Sequence, residues 1–134
     1  EVTEASRYAP CTEVAKEFKE ACYFEQPAWW GYAYGQAFKD IGLLCDALTE
    51  VPEREACFRG IGNALIAPTA AGRDVDAIIT ACKLMPEERG EILCREASAW
   101  VLSGDPEFEG EWRDICRGLE GEDAALCLVS DTFI

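Results

Sequence analysis

The chain has 134 residues, 49% of them hydrophobic, with 26 Asp and Glu against 12 Lys and Arg, no histidine and a formal net charge of -14. One domain with one core, or a short stack of repeats, is what this length accommodates, and a field of this sign counts against nucleic acid and anionic membranes as partners. The lack of histidine removes His-based general bases, Ser-His and Cys-His pairs and imidazole metal ligands together, and no apolar run approaches the roughly 18 to 20 residues that cross a bilayer, so membrane insertion is not expected.

The eight cysteines fall as four pairs of the form C-x10-C or C-x11-C: Cys11 and Cys22, Cys45 and Cys57, Cys82 and Cys94, Cys116 and Cys127. First members of successive pairs are 34, 37 and 34 residues apart and second members 35, 37 and 33, which is an internal repeat. It predicts a single domain of four units over residues 1–28, 29–68, 69–104 and 105–134. An even and dense cysteine content points to disulfides and to the periplasm, cell surface or medium, and the C-x2-4-C knuckles of zinc sites do not occur. The opening EVTEASRYAP is too polar for a signal peptide, so on the export reading Glu1 is the end left by removal of one.

In chain order, Cys11-TEVAKEFKEA-Cys22 is a divergent first copy, followed by YFEQPAWWGYAYGQAF, residues 23–38, which holds seven of the chain's 14 aromatic residues. The second pair, Cys45-DALTEVPEREA-Cys57, and the third, Cys82-KLMPEERGEIL-Cys94, each contain a proline followed by carboxylates (Pro52, Pro86), the pattern that opens a helix. A straight helix would hold such cysteines about 16 to 18 Å apart along its axis, whereas a disulfide needs alpha carbons within about 7 Å. Each interval therefore turns back on itself, and the repeat selects pairing within each interval. GRDVDAIITACKLM carries apolar residues at 75, 78, 79, 82 and 85, and the third unit continues at 92, 93, 97, 100 and 101, both helical stripes. PTAAGRD and SGDPEFEG read as turns between units. No strand alternation is convincing. The predicted fold is all-α: four disulfide-stapled antiparallel helical hairpins, some seven or eight helices, in a short α/α solenoid.

A period near 35 residues with two helices per unit resembles the tetratricopeptide and Sel1-like class of α/α repeats, and more narrowly the cysteine-rich secreted Sel1-like proteins, whose hairpins are disulfide-linked. The likeness is carried by Ala81-Cys82-Lys83-Leu84 leading to Cys94, and by Cys57-Phe58-Arg59-Gly60-Ile61-Gly62 with small residues behind the second cysteine. It covers most of the chain at the level of period and cysteine phase.

For chemistry, the aromatic stretch supplies the candidate binding residues Trp29, Trp30, Tyr32 and Tyr34, because aromatics interleaved with Gly and Ala can form a platform for a partner's apolar side chains or for sugar rings. Trp29 and Trp30 point about 100° apart on a helix, so one is expected in the core and the other exposed. The four carboxylates of Gly104–Glu111 lack EF-hand spacing and read as a solvated loop. Arg54, Arg59, Arg89 and Arg95 flank the second cysteines and read as salt links on helix surfaces. No nucleophile motif, phosphate loop or metal spacing is present, so no catalytic residue, metal or cofactor is expected and the chain is read as a non-enzyme. The ends differ: aromatic at the front, and at the back the apolar ALCLV and DTFI, closing on Phe133 and Ile134. Unlike ends favour a head-to-tail contact. The expected function is an exported helical-repeat protein acting by protein contact, as an adaptor or as a subunit of an extracellular assembly; the alternative is a small carbohydrate-binding or carbohydrate-active protein using the surface around Trp29 and Trp30.

Overall fold

The computed structural model describes residues 6–66 and 74–128. Those residues form six α-helices, three short 3-10 segments and no strand. A 3-10 turn, Lys16–Phe18, leads into α1 (Lys19–Tyr34), which ends at Gly35 in the left-handed conformation at φ 66°. Then come α2 (Phe38–Asp46), α3 (Val51–Leu65), α4 (Val75–Cys82) and α5 (Glu88–Ser103). Two 3-10 segments, Pro106–Phe108 and Trp112–Cys116, precede α6 (Gly121–Cys127).

Local signals explain the starts. Pro52 and Glu53 occupy the first turn of α3, and the Asp74 carboxylate accepts the backbone N–H groups of Asp76 (2.8 Å) and Ala77 (3.4 Å) to cap α4. Pro86 stands two residues ahead of α5, where Glu88 and Glu91 supply the first-turn carboxylates. Among the described residues there are fewer helices than the repeat predicts. The segment carrying Cys11 is a series of turns, and the one carrying Cys116 is a five-residue 3-10 helix bounded by Gly110 and Gly118, too short to sustain α-helical hydrogen bonding. The boundary set between residues 28 and 29 falls inside α1, which runs on through Pro27 to Tyr34.

Four disulfides join Cys11 to Cys22, Cys45 to Cys57, Cys82 to Cys94 and Cys116 to Cys127, with alpha carbons 5.4 to 5.7 Å apart. These are the pairs selected by the repeat. In the second and third, the first cysteine lies in the closing turn of one helix (α2, α4) and the second lies inside the next (α3, α5). The bond holds the intervening bend closed.

The helices after each bend pack on one another: α1 on α3, α3 on α5, and α5 on α6. The arms before the bends, α2, α4 and the Trp112–Cys116 segment, pack against α3 and α5. Glu55 of α3 meets Arg89 near the start of α5, and Arg59 meets Glu96 further along both, so α3 and α5 run in the same direction. Phe58, Ile61 and Leu65 of α3 are buried, as are Ile78, Cys82 and Met85 of the α4 stripe.

Two glycines set the spacing of these helices. Gly60 and Gly62 are two residues apart, hence on roughly opposite flanks of α3. A Cβ at Gly60 would collide with the Phe24 carbonyl of α1, and one at Gly62 with the Cys94 carbonyl of α5. The backbones therefore touch on both sides of α3, and the Ser98 hydroxyl donates across the second contact to the Gly62 carbonyl at 3.0 Å. Arg95, buried on α5, ties in the last unit: its Nε donates to the Ile115 carbonyl at 2.7 Å and a terminal N–H donates to the Arg117 carbonyl at 2.5 Å.

Adding a methyl to a close backbone contact forces the helices apart. Gly60→Ala and Gly62→Ala are each expected to lower the unfolding free energy of the oxidised protein by about 1 to 3 kcal/mol. Gly110→Ala, where the added carbon meets nothing within 4 Å, is expected to stay within about 0.5 kcal/mol of wild type. Guanidinium unfolding followed by circular dichroism measures all three.

Candidate binding surface

The aromatic stretch divides between core and surface because α1 buries one side. Tyr23, Gln26, Pro27 and Trp30 face inward. The Trp30 indole N–H donates to the Arg7 carbonyl at 2.6 Å, the Gln26 amide donates to the Ala9 carbonyl at 3.3 Å, and Tyr8 sets its ring edge-to-face against Trp30 at 5.8 Å. Burial pushes the Tyr8 and Tyr23 hydroxyls above their ordinary range, so Tyr8 stays protonated and donates to the Leu44 carbonyl of α2 at 2.8 Å. Trp30 thus belongs to the core that seats the amino-terminal segment, and it is withdrawn from the set of candidate binding residues.

The other three candidates reach the surface. Trp29 is 49% exposed, Tyr32 91% and Tyr34 36%, and Trp29 packs edge-to-face on Tyr34 with ring centroids 6.0 Å apart. With Trp30 buried, the adjacent tryptophans do not form a paired platform. The candidate tail, Phe133 and Ile134, lies outside the described residues.

A second surface was not singled out by the sequence. Phe24 of α1, Arg59 and Asn63 of α3, and Glu96, Ala97, Trp100 and Val101 of α5 line an open groove of about 440 Å³. Arg59 Nε donates to the Glu96 carboxylate at 2.7 Å. Glu96 is buried at the residue level, while its partner is about one-third exposed. Trp100, read from its stripe as an apolar face position, is instead 60% exposed, at the end of a run from Ile92 to Ala99 that is buried without interruption. The missed signal lay in the repeat: Phe24, Arg59 and Glu96 each stand two residues beyond the second cysteine of their unit, and Asn63 and Trp100 six beyond. Equivalent positions of neighbouring units come together across the groove.

Of the arginines read as surface links, Arg59 and Arg89 are so, joining α3 to α5. Arg54 donates to the Leu48 carbonyl at 3.0 Å, and Arg95 is buried in place of being superficial. Among the described residues no three acidic or cysteine side chains converge as a metal site, and no helix is long and apolar enough to cross a membrane. Comparison with known proteins finds no matching family model, no similar curated protein and no similar solved structure. The likeness to the Sel1-like class accordingly remains one of period and cysteine phase.

The Glu55–Arg89 pair generates a pH dependence. The hydrogen bond from Arg89 is the main cause holding the Glu55 carboxyl below its ordinary value of 4.5. A depressed folded-state value stabilises the fold above pH 4.5, and the contribution is lost as pH falls through the folded-state titration. Wild type should therefore exceed Glu55→Gln in stability at pH 7, by less than about 1 kcal/mol for so exposed a pair. The gap should shrink on acidification and in high salt. Paired melts from pH 7 to pH 3 check it, and a gap independent of pH would remove the ion pair as its source.

Proposed function

We propose that this chain is a short α/α solenoid of four disulfide-stapled hairpins, exported to an oxidising extracellular compartment, and that it acts by protein contact as a subunit of an assembly or as an adaptor. Four local disulfides suit such a compartment, where thiols are not kept reduced. The observation that carries the contact reading is the exposure of Trp29, Tyr32 and Tyr34 on α1. Tyrosine and tryptophan bring large contact area at low conformational cost and are the residues most often found at the energetic centres of protein interfaces. The acidic excess keeps such a surface from collapsing non-specifically and favours a partner without strong negative charge.

Static light scattering across a concentration series tests the assembly reading. The wild type should rise above the monomer mass with concentration, and a Trp29→Ser/Tyr32→Ser variant, altered only at exposed rings, should stay monomeric with unchanged helicity. A wild type that is strictly monomeric at the highest concentration removes the assembly branch.

A further inference from the structure

We propose that the groove over α3 is a binding site for a neutral saccharide, with Trp100 as the stacking platform and Arg59, Asn63 and Glu96 as the hydrogen-bonding floor. This goes beyond the protein-contact reading, since the site is on other residues than the exposed α1 rings.

Three observations carry it. The first is the arrangement of polarity. Because α3 lies between α1 and α5, Arg59 and Asn63 form the bottom of the groove, with Phe24 on one wall and Trp100, Ala97 and Val101 on the other. A sugar ring needs what is present here: an aromatic face for its C–H surface and a row of donors and acceptors for its hydroxyls.

The second is the unspent hydrogen-bonding capacity. Arg59 uses Nε on Glu96. Among the described residues its terminal N–H groups, the Asn63 amide and the Trp100 indole N–H make no hydrogen bond, and one Glu96 oxygen is likewise unused. Guanidinium, amide and carboxylate side by side offer donors and acceptors together, which matches hydroxyl groups that both donate and accept. The Arg59–Glu96 pair also pins the floor before any ligand arrives, and Trp100 is carried on α5, which has the most buried residues of the described helices.

The third is charge. The floor pair is neutral as a unit, and a net charge of -14 repels acidic ligands. A neutral ligand avoids that repulsion, and about 440 Å³ is within the range of small-ligand sites.

The test uses the full oxidised chain. A glycan array carrying neutral and acidic oligosaccharides is followed by titration with free maltose, cellobiose, N,N′-diacetylchitobiose and mannobiose, read by the indole N–H resonances in ¹H–¹⁵N spectra. The expected result is binding of at least one neutral glycan, a shift of the Trp100 indole resonance, and affinity at least tenfold weaker in Trp100→Ala and in Asn63→Ala. Trp29→Ala, at the other aromatic surface, should bind as wild type does, which separates this site from the protein-contact surface. Both groove variants change exposed or half-buried side chains, and retention of the wild-type helical spectrum verifies their fold. Failure of every neutral glycan to bind or to move the Trp100 resonance would overturn the proposal. So would binding that survives both groove substitutions, or a preference for acidic glycans. A cationic amphipathic peptide that shifts the Trp100 resonance when no saccharide does would reassign the groove to protein docking.

Discussion

The rest of the fold depends on four disulfides built into the core, of whose cysteines Cys22 alone is partly exposed. Cys11, Cys45, Cys57, Cys82, Cys94 and Cys127 are fully buried, and Cys116 nearly so. The sulfur atoms are therefore packing material as well as cross-links, sitting where each arm meets the helix that follows its bend. Bridging residues only 11 or 12 positions apart, each bond limits the unfolded chain modestly, by roughly 2 to 3 kcal/mol on the chain-entropy account. Four such contributions are comparable with the whole net stability of a small domain, about 5 to 15 kcal/mol. Local closure has a second effect. With each bend held by its own bond, the helices that follow are free to pack side by side with little loop entropy left to oppose them.

The glycines of α3 then determine how closely they pack. Contact of the α3 backbone with the Phe24 and Cys94 carbonyls places α1 and α5 against its two flanks, and at that spacing Phe24, Arg59 and Glu96, two residues after Cys22, Cys57 and Cys94, come to line one groove. Arg59 reaches Glu96, and Asn63 and Trp100 line the same groove as Phe24. Bulkier residues at 60 and 62 would separate the helices and open the floor. The same backbone contacts that bring α1, α3 and α5 together thus shape the groove.

Much of this was legible in the sequence, for reasons that can be named. The cysteine phase identified the pairing, because an interval of 11 or 12 residues must bend if its ends are to bond. The α4 stripe and the Pro52 start behaved as local physics requires. The first arms of the outer units did not: near Cys11 and Cys116, short segments among prolines and glycines left turns and a 3-10 helix where full helices were expected. Helical angles could separate Trp29 from Trp30 but not say which was buried, since that choice is made by the Arg7 carbonyl and the Tyr8 ring, brought in from outside the helix. Trp100 escaped notice because its stripe looks like core. It is exposed because α5 buries the eight residues before it and ends three residues after it, where the packing partners give out.

The central claim is that every disulfide is local to its own unit. Tryptic mapping of the non-reduced protein tests it directly, because a lysine or arginine lies inside each cysteine interval and between all successive intervals: Lys16 and Lys19, Lys39, Arg54, Arg59 and Arg73, Lys83 and Arg89, Arg95 and Arg113, Arg117. Four cross-linked peptide pairs are predicted, joining Cys11 to Cys22, Cys45 to Cys57, Cys82 to Cys94 and Cys116 to Cys127. A peptide linking cysteines of two different units would contradict it.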